Sequence, residues 1–219
     1  YDDTPVLKDI NLKIERGKII GLLGKNGVGK STLIKIINDL LVPTEGEVYI
    51  NGEKPGVNSK KTIAYLPERT YLDKEMKISE GFHYFEEFYD NFNIEKAKKL
   101  LKDLNLDINK KISKMSKGMQ EKLQLVLVMS RDADLYILDE PLGGVDPATR
   151  DYILDTILSN FKEGASMIIS THLISDIERI LDEVIFMNDG KIILTSPADE
   201  LREKEKGSID EIFRRYFKC

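Results

Sequence analysis

Short apolar runs alternate along this chain with segments in which apolar residues recur every three or four positions. The run KIIGLL at 18–23 has the composition of a buried strand. The segment after it carries apolar residues at helical spacing, namely Leu33, Ile36, Ile37, Leu40 and Leu41. Two later runs, LYILD at 135–139 and SMIIST at 166–171, also have the composition of buried strands. Alternating strands and helices predict an α/β fold.

The spacing of these elements predicts three consecutive segments. Residues 1–67 are expected to hold antiparallel strands, with a hairpin near Glu15-Arg16-Gly17, together with the first buried strand and its helix. Residues 68–130 have a helical pattern. Residues 131–219 return to strands and helices, with a hairpin that turns on Asn188-Asp189-Gly190 and two short charged helices at the end. We predict one domain, in which 1–67 and 131–219 form a common core and 68–130 is an inserted helical subdomain.

A glycine-rich loop joins the first strand to its helix. The sequence GKNGVGKS, from Gly24 to Ser31, matches the pattern G-x-x-x-x-G-K-[ST] at every fixed position. Glycines let backbone N–H groups point at phosphate oxygens, Lys30 adds a positive charge, and Ser31 offers a hydroxyl to Mg²⁺. The alternative is an ordinary strand-to-helix turn, which the neighbouring strand and helix make the weaker interpretation. We predict that this P-loop binds the phosphates of a nucleotide.

Three side chains suited to phosphoryl chemistry follow the later strands. Asp139 ends one apolar run, where its carboxylate can reach Mg²⁺ directly or through a water. Glu140 comes next and can polarise the attacking water as general base. His172 follows the other run, and strand ends in a parallel sheet converge on a ligand crevice. The alternatives are acidic residues that only cap a strand, and a histidine in a solvated loop.

The sequence SKGM at 116–119 precedes a strongly apolar helical run. Ser116 is a residue typical of helix N-caps, and Gly118 permits close approach to the first amides of the helix. As structure this is a capped helix, and as function it is an anion site; the two interpretations are compatible. We expect this site to lie out of reach of the P-loop of the same chain.

The order of these motifs resembles that of the ATP-binding cassette (ABC) ATPases, and specifically the nucleotide-binding subunit of an ABC transporter, over essentially the whole chain. The motifs are the P-loop, SKGM, ILDEP, GGVD at 143–146 and STH at 170–172. The resemblance implies a P-loop NTPase core with an antiparallel β subdomain and an inserted α-helical subdomain.

The resemblance also implies ligands and roles for individual residues. ATP and Mg²⁺ would be bound, with Tyr1 stacked on adenine and with Lys30, Glu140 and His172 as the catalytic residues. The implied nucleotide contacts are Tyr1, Gly24, Lys25, Asn26, Gly27, Val28, Gly29, Lys30, Ser31, Thr32, Ser116, Lys117, Gly118 and Met119. The implied metal contacts are Ser31, Asp139 and Glu68.

Two motifs depart from the usual pattern of the family. Lys117 and Met119 replace a glycine and the glutamine of the signature sequence, and Glu68 stands where the family usually has the Q-loop glutamine. Glu68 can still approach a magnesium ion through oxygen but cannot donate an amide N–H. Variants of this kind are typical of the exporter-like branch of the family.

Composition and charge narrow the partners and the compartment. The chain has 219 residues, 41% of them hydrophobic, and a net charge of −5, whereas a nucleic-acid partner calls for a basic face. The single cysteine, Cys219, is typical of a reducing compartment, and no apolar run is long enough to span a bilayer. We expect no signal peptide. We expect a soluble intracellular protein. The resemblance implies a cytoplasmic protein held peripherally at the inner face of the cell membrane.

The inserted segment is rich in aromatic residues, which are Tyr71, Phe82, Tyr84, Phe85, Phe88, Tyr89 and Phe92. A small insert cannot easily bury all of these rings, and aromatic residues are common at interfaces. In the family, this subdomain borders the groove that receives a helix of the membrane subunit. The region 68–92 is therefore the expected contact with an integral membrane permease. We expect some of these rings to line the groove and the others to pack in the core.

Three functions fit the P-loop and the motifs that follow it. The first is an ATPase subunit that drives a separate membrane transporter as an ATP-sandwich dimer, with a second copy or a related chain as partner. The second is an ABC-type ATPase in DNA repair, chromosome organisation or translation, but the segment between Glu68 and Ser116 is short and only one cassette is present. The third is a small-molecule kinase, whose arginine-rich lid the insert does not resemble. We predict the first.

Overall fold

A computed structural model describes residues 5–218 of the chain and contains a six-stranded sheet. The strands are β1 (Ile19–Leu23), β2 (Ile63–Leu66), β3 (Leu135–Asp139), β4 (Ser166–Thr171), β5 (Glu183–Asn188) and β6 (Lys191–Pro197). Their order is β2-β3-β4-β1-β5-β6, in which the first five strands are parallel and β6 is antiparallel to β5. The predicted α/β fold is confirmed.

Helices connect and cover these strands. They are α1 (Lys30–Ile37), α2 (Val57–Thr62), α3 (Ile78–Phe88), α4 (Ile94–Asp103), α5 (Lys117–Met129), α6 (Pro147–Asn160), α7 (Ile174–Ile177), α8 (Ala198–Glu205) and α9 (Ile209–Phe217). Short 3₁₀ turns lie at Ile112–Lys114 and Glu178–Ile180. Within residues 5–218, no helix combines the length and the apolar character that crossing a bilayer requires.

The sheet separates two apolar clusters, because successive side chains of a strand point to opposite faces. Ile20 and Leu22 of β1 pack in the smaller cluster with Leu33 and Ile34 of α1. Leu23, at the end of the same strand, belongs to the larger cluster, which includes the buried residues of α3, α4, α5 and α9. The P-loop thus joins a central strand to a helix on one face, while most helices pack on the other.

The antiparallel strands predicted for residues 1–67 do not form in the part of this segment that the structure describes. Arg16 and Gly17 make the expected turn, but no strand precedes them. The physical reason is that β1 is central, with β4 on one side and β5 on the other, so neither edge is open to a hairpin partner. Antiparallel pairing appears instead between β5 and β6, and as an isolated bridge between Ile50 and Glu53.

The helix after the P-loop is shorter than its apolar pattern predicts. Asn38 is the C-cap of α1, and Asp39 has a left-handed φ of 55°. The Leu40 N–H then donates back to the Lys35 carbonyl, which closes the helix end. Leu40 and Leu41 therefore lie outside the helix, 55% and 44% exposed.

Other local predictions are confirmed. The hairpin between β5 and β6 turns at Asp189 and Gly190, both with positive φ, as a two-residue turn requires. Helices α8 and α9 are the two charged helices that follow it. The segment between β2 and β3 is helical and contains α3, α4 and α5.

Candidate functional site

The carboxyl ends of the parallel strands bring the predicted residues to one edge of the sheet. The P-loop follows β1, Glu68 follows β2 after one proline, and Glu140 follows β3. His172 follows β4, which lies between β3 and β1 in the sheet. Residues far apart in the sequence are therefore neighbours at the ligand edge of this fold.

The P-loop turn depends on two of its glycines. Gly29 is the N-cap of α1, with φ 105°, and a Cβ there would lie 2.7 Å from Leu7 Cδ2. A Cβ on Gly24 would lie 2.7 Å from the Met187 carbonyl oxygen on β5. Side chains at these positions would displace the loop from the sheet or strain its backbone. The glycines thus keep the N-terminus of α1, an anion-binding helix end, open toward the edge.

The Lys30 side chain folds back beneath the P-loop. It is buried, and its Nζ donates to the Gly24 carbonyl at 2.7 Å and to the Lys25 carbonyl at 3.3 Å. Nζ also lies 3.9 Å from Glu140 Oε1. Burial lowers the pKa of Lys30 from its ordinary value, and the carboxylates of Glu140, Asp139 and Glu68 oppose that shift. These carboxylates favour the charged ammonium that phosphate binding needs.

The Asp139 carboxylate is buried at the end of β3. Its Oδ1 accepts a hydrogen bond of 2.5 Å from the Ser170 hydroxyl, which is also buried. Asp139 and Ser170 are paired in the register of β3 and β4, so the sheet itself sets this contact. Ser170 orients the carboxylate, and sequence reasoning missed this role because the pairing of the two strands is a tertiary feature.

Glu140 and His172 form a hydrogen-bonded pair at the same edge. His172 Nδ1 lies 2.9 Å from Glu140 Oε2, and the backbone N–H of His172 lies 3.4 Å from the same oxygen. The Glu140 backbone is left-handed, with φ 51°, and its N–H donates to the Ser170 carbonyl at 2.9 Å. The carboxylate is largely buried while the imidazole is half-exposed. A carboxylate in this position can accept a proton from water, with the imidazole beside it.

A cavity of about 570 Å³ opens between the P-loop, the strand ends and the first turn of α5. The predicted site residues that line it are Asn26, Gly27, Gly29, Lys30, Ser31, Thr32, Glu68, Lys117, Glu140 and His172. Further lining residues outside the predicted set are Val6, Glu121, Gly143 and Gly144. The cavity has the size of a ligand site and carries both cationic and anionic groups.

The first turn of α5 contributes Lys117 and Glu121 to the wall of this cavity. Ser116 is the N-cap, as predicted, and its hydroxyl accepts from the Met119 N–H at 3.3 Å. Lys117 lines the cavity of its own chain, whereas Ser116, the residue expected to lie out of reach of the same P-loop, does not line it. Glu121, one turn later, pairs with Lys117 at 3.5 Å and was missed, although its spacing places it on the same helix face.

Other predicted residues do not line the cavity. Lys25 Nζ donates to the Phe217 carbonyl at the end of α9, at 3.0 Å, and the Val28 carbonyl accepts from Gly190 N–H. Gly24 packs against β5. The remaining ones are Asp139, which lies deeper, together with Ser116, Gly118 and Met119 on α5. Tyr1 lies outside the described residues.

The oxygen donors at this edge suit a magnesium ion that is held mainly by other oxygens. Ser31, Asp139 and Glu68 supply a hydroxyl and two carboxylates, which are the ligands that Mg²⁺ prefers. Across residues 5–218, no three or more His, Cys, Asp or Glu side chains are placed to hold a metal ion together. This donor set fits an ion that arrives with phosphate oxygens and waters rather than one in an all-protein site.

The family model and the relatives found by sequence comparison all point to ABC transporters. A family model described as "ABC transporter" matches residues 7–143. The ABC transporter ATP-binding protein YtrB of Bacillus subtilis (strain 168) is 31% identical over 206 residues, which is 93% of this chain and 70% of YtrB. The ABC-type transporter ATP-binding protein EcsA of the same organism is 32% identical over 226 residues, covering 97% of this chain and 91% of EcsA.

A solved structure agrees with these sequence comparisons. Its title reads "Structure of ATP binding subunit of ABC transporter", and its TM-score with this chain is 0.88 at 28% sequence identity. The match covers 98% of this chain and 94% of the other. Nearly the whole length of this chain is thus similar to these proteins in sequence and, for the solved structure, in fold.

Proposed function

We propose that Glu140 is the general base for ATP hydrolysis in the cavity beside the P-loop. The chain belongs to the ABC transporter family, as an ATP-binding subunit whose ATPase activity is coupled to transport. The observation that carries this assignment is the position of the Glu140 carboxylate. It lies 2.9 Å from His172 Nδ1 and 3.9 Å from Lys30 Nζ, between the groups assigned to the terminal phosphate.

Each side chain has a role that follows from its contacts. The P-loop N–H groups and Lys30 bind the phosphates, so Lys30 exchanges its contacts with the Gly24 and Lys25 carbonyls for phosphate oxygens. Glu140 takes the proton of the attacking water, and His172 donates to the terminal phosphate while it keeps the carboxylate in place. Ser116, Lys117, Gly118 and Met119 contact nucleotide as well, with Lys117 the nearest to this cavity.

Ser31, Asp139 and Glu68 are the residues we assign to a magnesium ion. When bound with ATP, such an ion supplies positive charge that offsets the charge developing on the phosphate oxygens. Ser170 holds the Asp139 carboxylate in one orientation for this purpose. Tyr65 on β2 adds a hydroxyl near the two carboxylates, and burial, with Asp139 and Glu68 nearby, raises its pKa to about 12, so it remains protonated and able to donate.

The proposal is tested by separating binding from hydrolysis. Glu140→Gln keeps the shape of the side chain but removes the proton acceptor, so hydrolysis should fall by about 10²–10⁴-fold while magnesium-ATP binding is retained. Glu47→Gln, a change at an exposed carboxylate bonded to Lys54, is the control and should hydrolyse ATP at the parent rate. A Glu140→Gln protein with the parent rate would contradict the assignment of the general base.

The contact with the membrane subunit is proposed for the exposed aromatic residues of 68–92. Phe82, Phe85 and Phe92 are buried, whereas Tyr71, Tyr84 and Phe88 remain about half exposed. The Tyr84 and Phe88 rings are in contact, with their centroids 4.4 Å apart and their planes tilted by 35°, so they offer one continuous apolar surface. An integral membrane permease bound there would place this chain at the cytoplasmic face of the membrane.

Co-purification with the membrane subunit tests this surface. Tyr84→Ala with Phe88→Ala should reduce the amount of membrane subunit recovered, without a change in ATP affinity. Tyr49→Ala removes a ring of similar exposure elsewhere on the chain and should recover the parent amount. If the double variant and Tyr49→Ala recover the same amount of membrane subunit, the contact surface does not include Tyr84 and Phe88.

We further propose that helices α3, α4 and α5 form a subdomain of 68–130, separate from the nucleotide-binding core of 1–67 and 131–219. The relatives reported above are named as transporter proteins, which supports transport over a role in DNA repair or translation. The exporter-like direction stays a prediction from the sequence.

A further inference from the structure

One polar side chain lies on the buried part of α5. Leu123 and Leu125 through Met129 are apolar and buried, whereas Gln124 is a glutamine with only 2% of its surface exposed. Its Nε2 donates to the Pro67 carbonyl at 3.1 Å, and its Oε1 accepts from the Tyr71 N–H at 3.4 Å. A buried amide usually forms hydrogen bonds, and here both of its partners, the Pro67 carbonyl and the Tyr71 N–H, belong to the short loop that follows β2.

The two bonds connect both ends of the loop that carries Glu68. Pro67 precedes Glu68 directly, and Tyr71 follows three residues later. Glu68 lines the large cavity, and a second cavity of about 30 Å³ lies between this loop, α5 and the end of β3. Glu68, Gln124 and Glu140 all line the smaller cavity, whereas Gln124 does not line the large one.

We propose that Gln124 is a positioning residue that holds Glu68 at the distance required by the magnesium-nucleotide complex. The inference rests on the proposed function and adds a residue to that site. Gln124 contacts neither the nucleotide nor the metal, and it acts through the backbone of 67–71.

The chemistry of the two loop groups explains why glutamine is suited to this position. The Pro67 carbonyl requires a donor and the Tyr71 N–H requires an acceptor, and an amide supplies both from one side chain. A carboxylate supplies only the acceptor, and an aliphatic side chain supplies neither. Leu and Met therefore both remove this contact at nearly constant volume and without introducing a charge.

Gln120 provides a matched control on the same helix. Its Nε2 donates to the carbonyls of Ile112 and Met115, so it also links α5 to a neighbouring backbone segment through two hydrogen bonds. Neither of its partners belongs to the loop of Glu68. Gln120→Leu and Gln124→Leu thus each remove two hydrogen bonds between α5 and a backbone segment, and only the second loosens the loop of Glu68.

The experiment measures binding of a non-hydrolysable ATP analogue across a magnesium series and with EDTA. In Gln124→Leu, the magnesium concentration for half-maximal binding should rise about three- to tenfold, the range for loss of one or two hydrogen bonds. Binding in EDTA should be unchanged, because Glu68 is not assigned a nucleotide contact. Hydrogen exchange of the backbone amides of 68–72 should become faster. Gln120→Leu should leave the magnesium requirement and the exchange of 68–72 unchanged.

Gln124→Met also removes both hydrogen bonds at similar volume and without a charge, should raise the magnesium requirement as Leu does, and serves as the test if the Leu variant fails to fold. Faster exchange with an unchanged magnesium requirement, or equal weakening with and without magnesium, would reduce Gln124 to a structural role and overturn the inference alone. A parent protein whose nucleotide binding is insensitive to magnesium would overturn the proposed metal site, and this inference with it.

Discussion

Glu140 illustrates how much of the site depends on single residues. Its left-handed backbone, with φ 51°, costs about 1–2 kcal/mol for a residue that is not glycine. Hydrogen bonds from its own N–H to Ser170 and from the Gly143 N–H to its carbonyl hold that conformation. The strained turn directs the carboxylate toward His172 and Lys30, which is the arrangement a general base requires.

Lys30 carries a second prediction at the scale of the residue. Lys30→Ala removes a charge-assisted contact with phosphate, worth roughly 1.5–3 kcal/mol. ATP affinity should therefore fall by about one to two decades. Lys35→Ala, which removes an exposed lysine from the same helix, should bind ATP like the parent protein. Isothermal titration of both variants gives the comparison, and unchanged affinity in Lys30→Ala would contradict the P-loop assignment.

At the scale of the element, the end of α9 contacts the P-loop. Phe213 and Phe217 of α9 stack with centroids 4.1 Å apart and pack against Phe186 of β5. The end of the same helix accepts the Lys25 ammonium through the Phe217 carbonyl. A cation at a helix C-terminus is also favoured by the helix dipole. The helix thus connects the aromatic core to the back of the phosphate-binding loop.

The aromatic rings of α9 and α3 should differ in their effect on stability. Phe213→Ala removes a buried ring and should lower the free energy of unfolding by about 3–5 kcal/mol. Phe88→Ala removes a ring that is 56% exposed and should change it by no more than about 0.5 kcal/mol. Urea denaturation of the two variants measures the difference. Equal losses would show that Phe88 belongs to the core rather than to a docking surface.

At the scale of the whole molecule, the prediction concerns how two chains share the cavity beside the P-loop. We expect a second nucleotide-binding subunit to close it, with two ATP molecules sandwiched head to tail and Ser116 of each chain near the nucleotide of the other. The position of Lys117 in the cavity of its own chain means that contacts within one chain must be told apart from contacts between two.

Two single-cysteine chains make that distinction. One carries Asn26→Cys and the other Ser116→Cys, both with Cys219→Ser, so that a disulfide between P-loop and α5 can form only between chains. The mixture should give a product of twice the chain mass when ATP and magnesium are present, and little without them. Asn26→Cys mixed with Glu47→Cys is the control and should stay monomeric. A product formed equally without nucleotide would contradict the sandwich arrangement.

Local features of the site were predictable because they depend on residues close together in the sequence. The glycines and Lys30 of the P-loop, the Ser116 cap and the turn at Asp189-Gly190 each follow from backbone conformations that only certain residues favour. The apolar runs that became β1, β3 and β4 were equally clear. In each case a few neighbouring residues carry the whole physical signal.

Interactions between distant segments were not predictable in this way. Ser170 beside Asp139, Glu121 in the cavity and Gln124 bonded to the loop of Glu68 all depend on elements that are separated in sequence. The antiparallel strands predicted for residues 1–67 do not form in the described part of that segment for the same reason, since the strand order leaves β1 no free edge.

The amino-acid sequence by itself determined the strands β1, β3 and β4, the turn at Asp189-Gly190, and which residues can bind phosphate or accept a proton. These properties come from side-chain chemistry and from the apolar spacing within each element. Only the tertiary structure decided that Lys30, Glu140 and His172 meet at one edge, because the order β3-β4-β1 and the parallel direction of these strands bring their carboxyl ends together. The tertiary structure also decided the hydrogen bonds of Gln124 with Pro67 and of Lys25 with Phe217, since the packing of α5 and α9 against the sheet sets the distances between these groups.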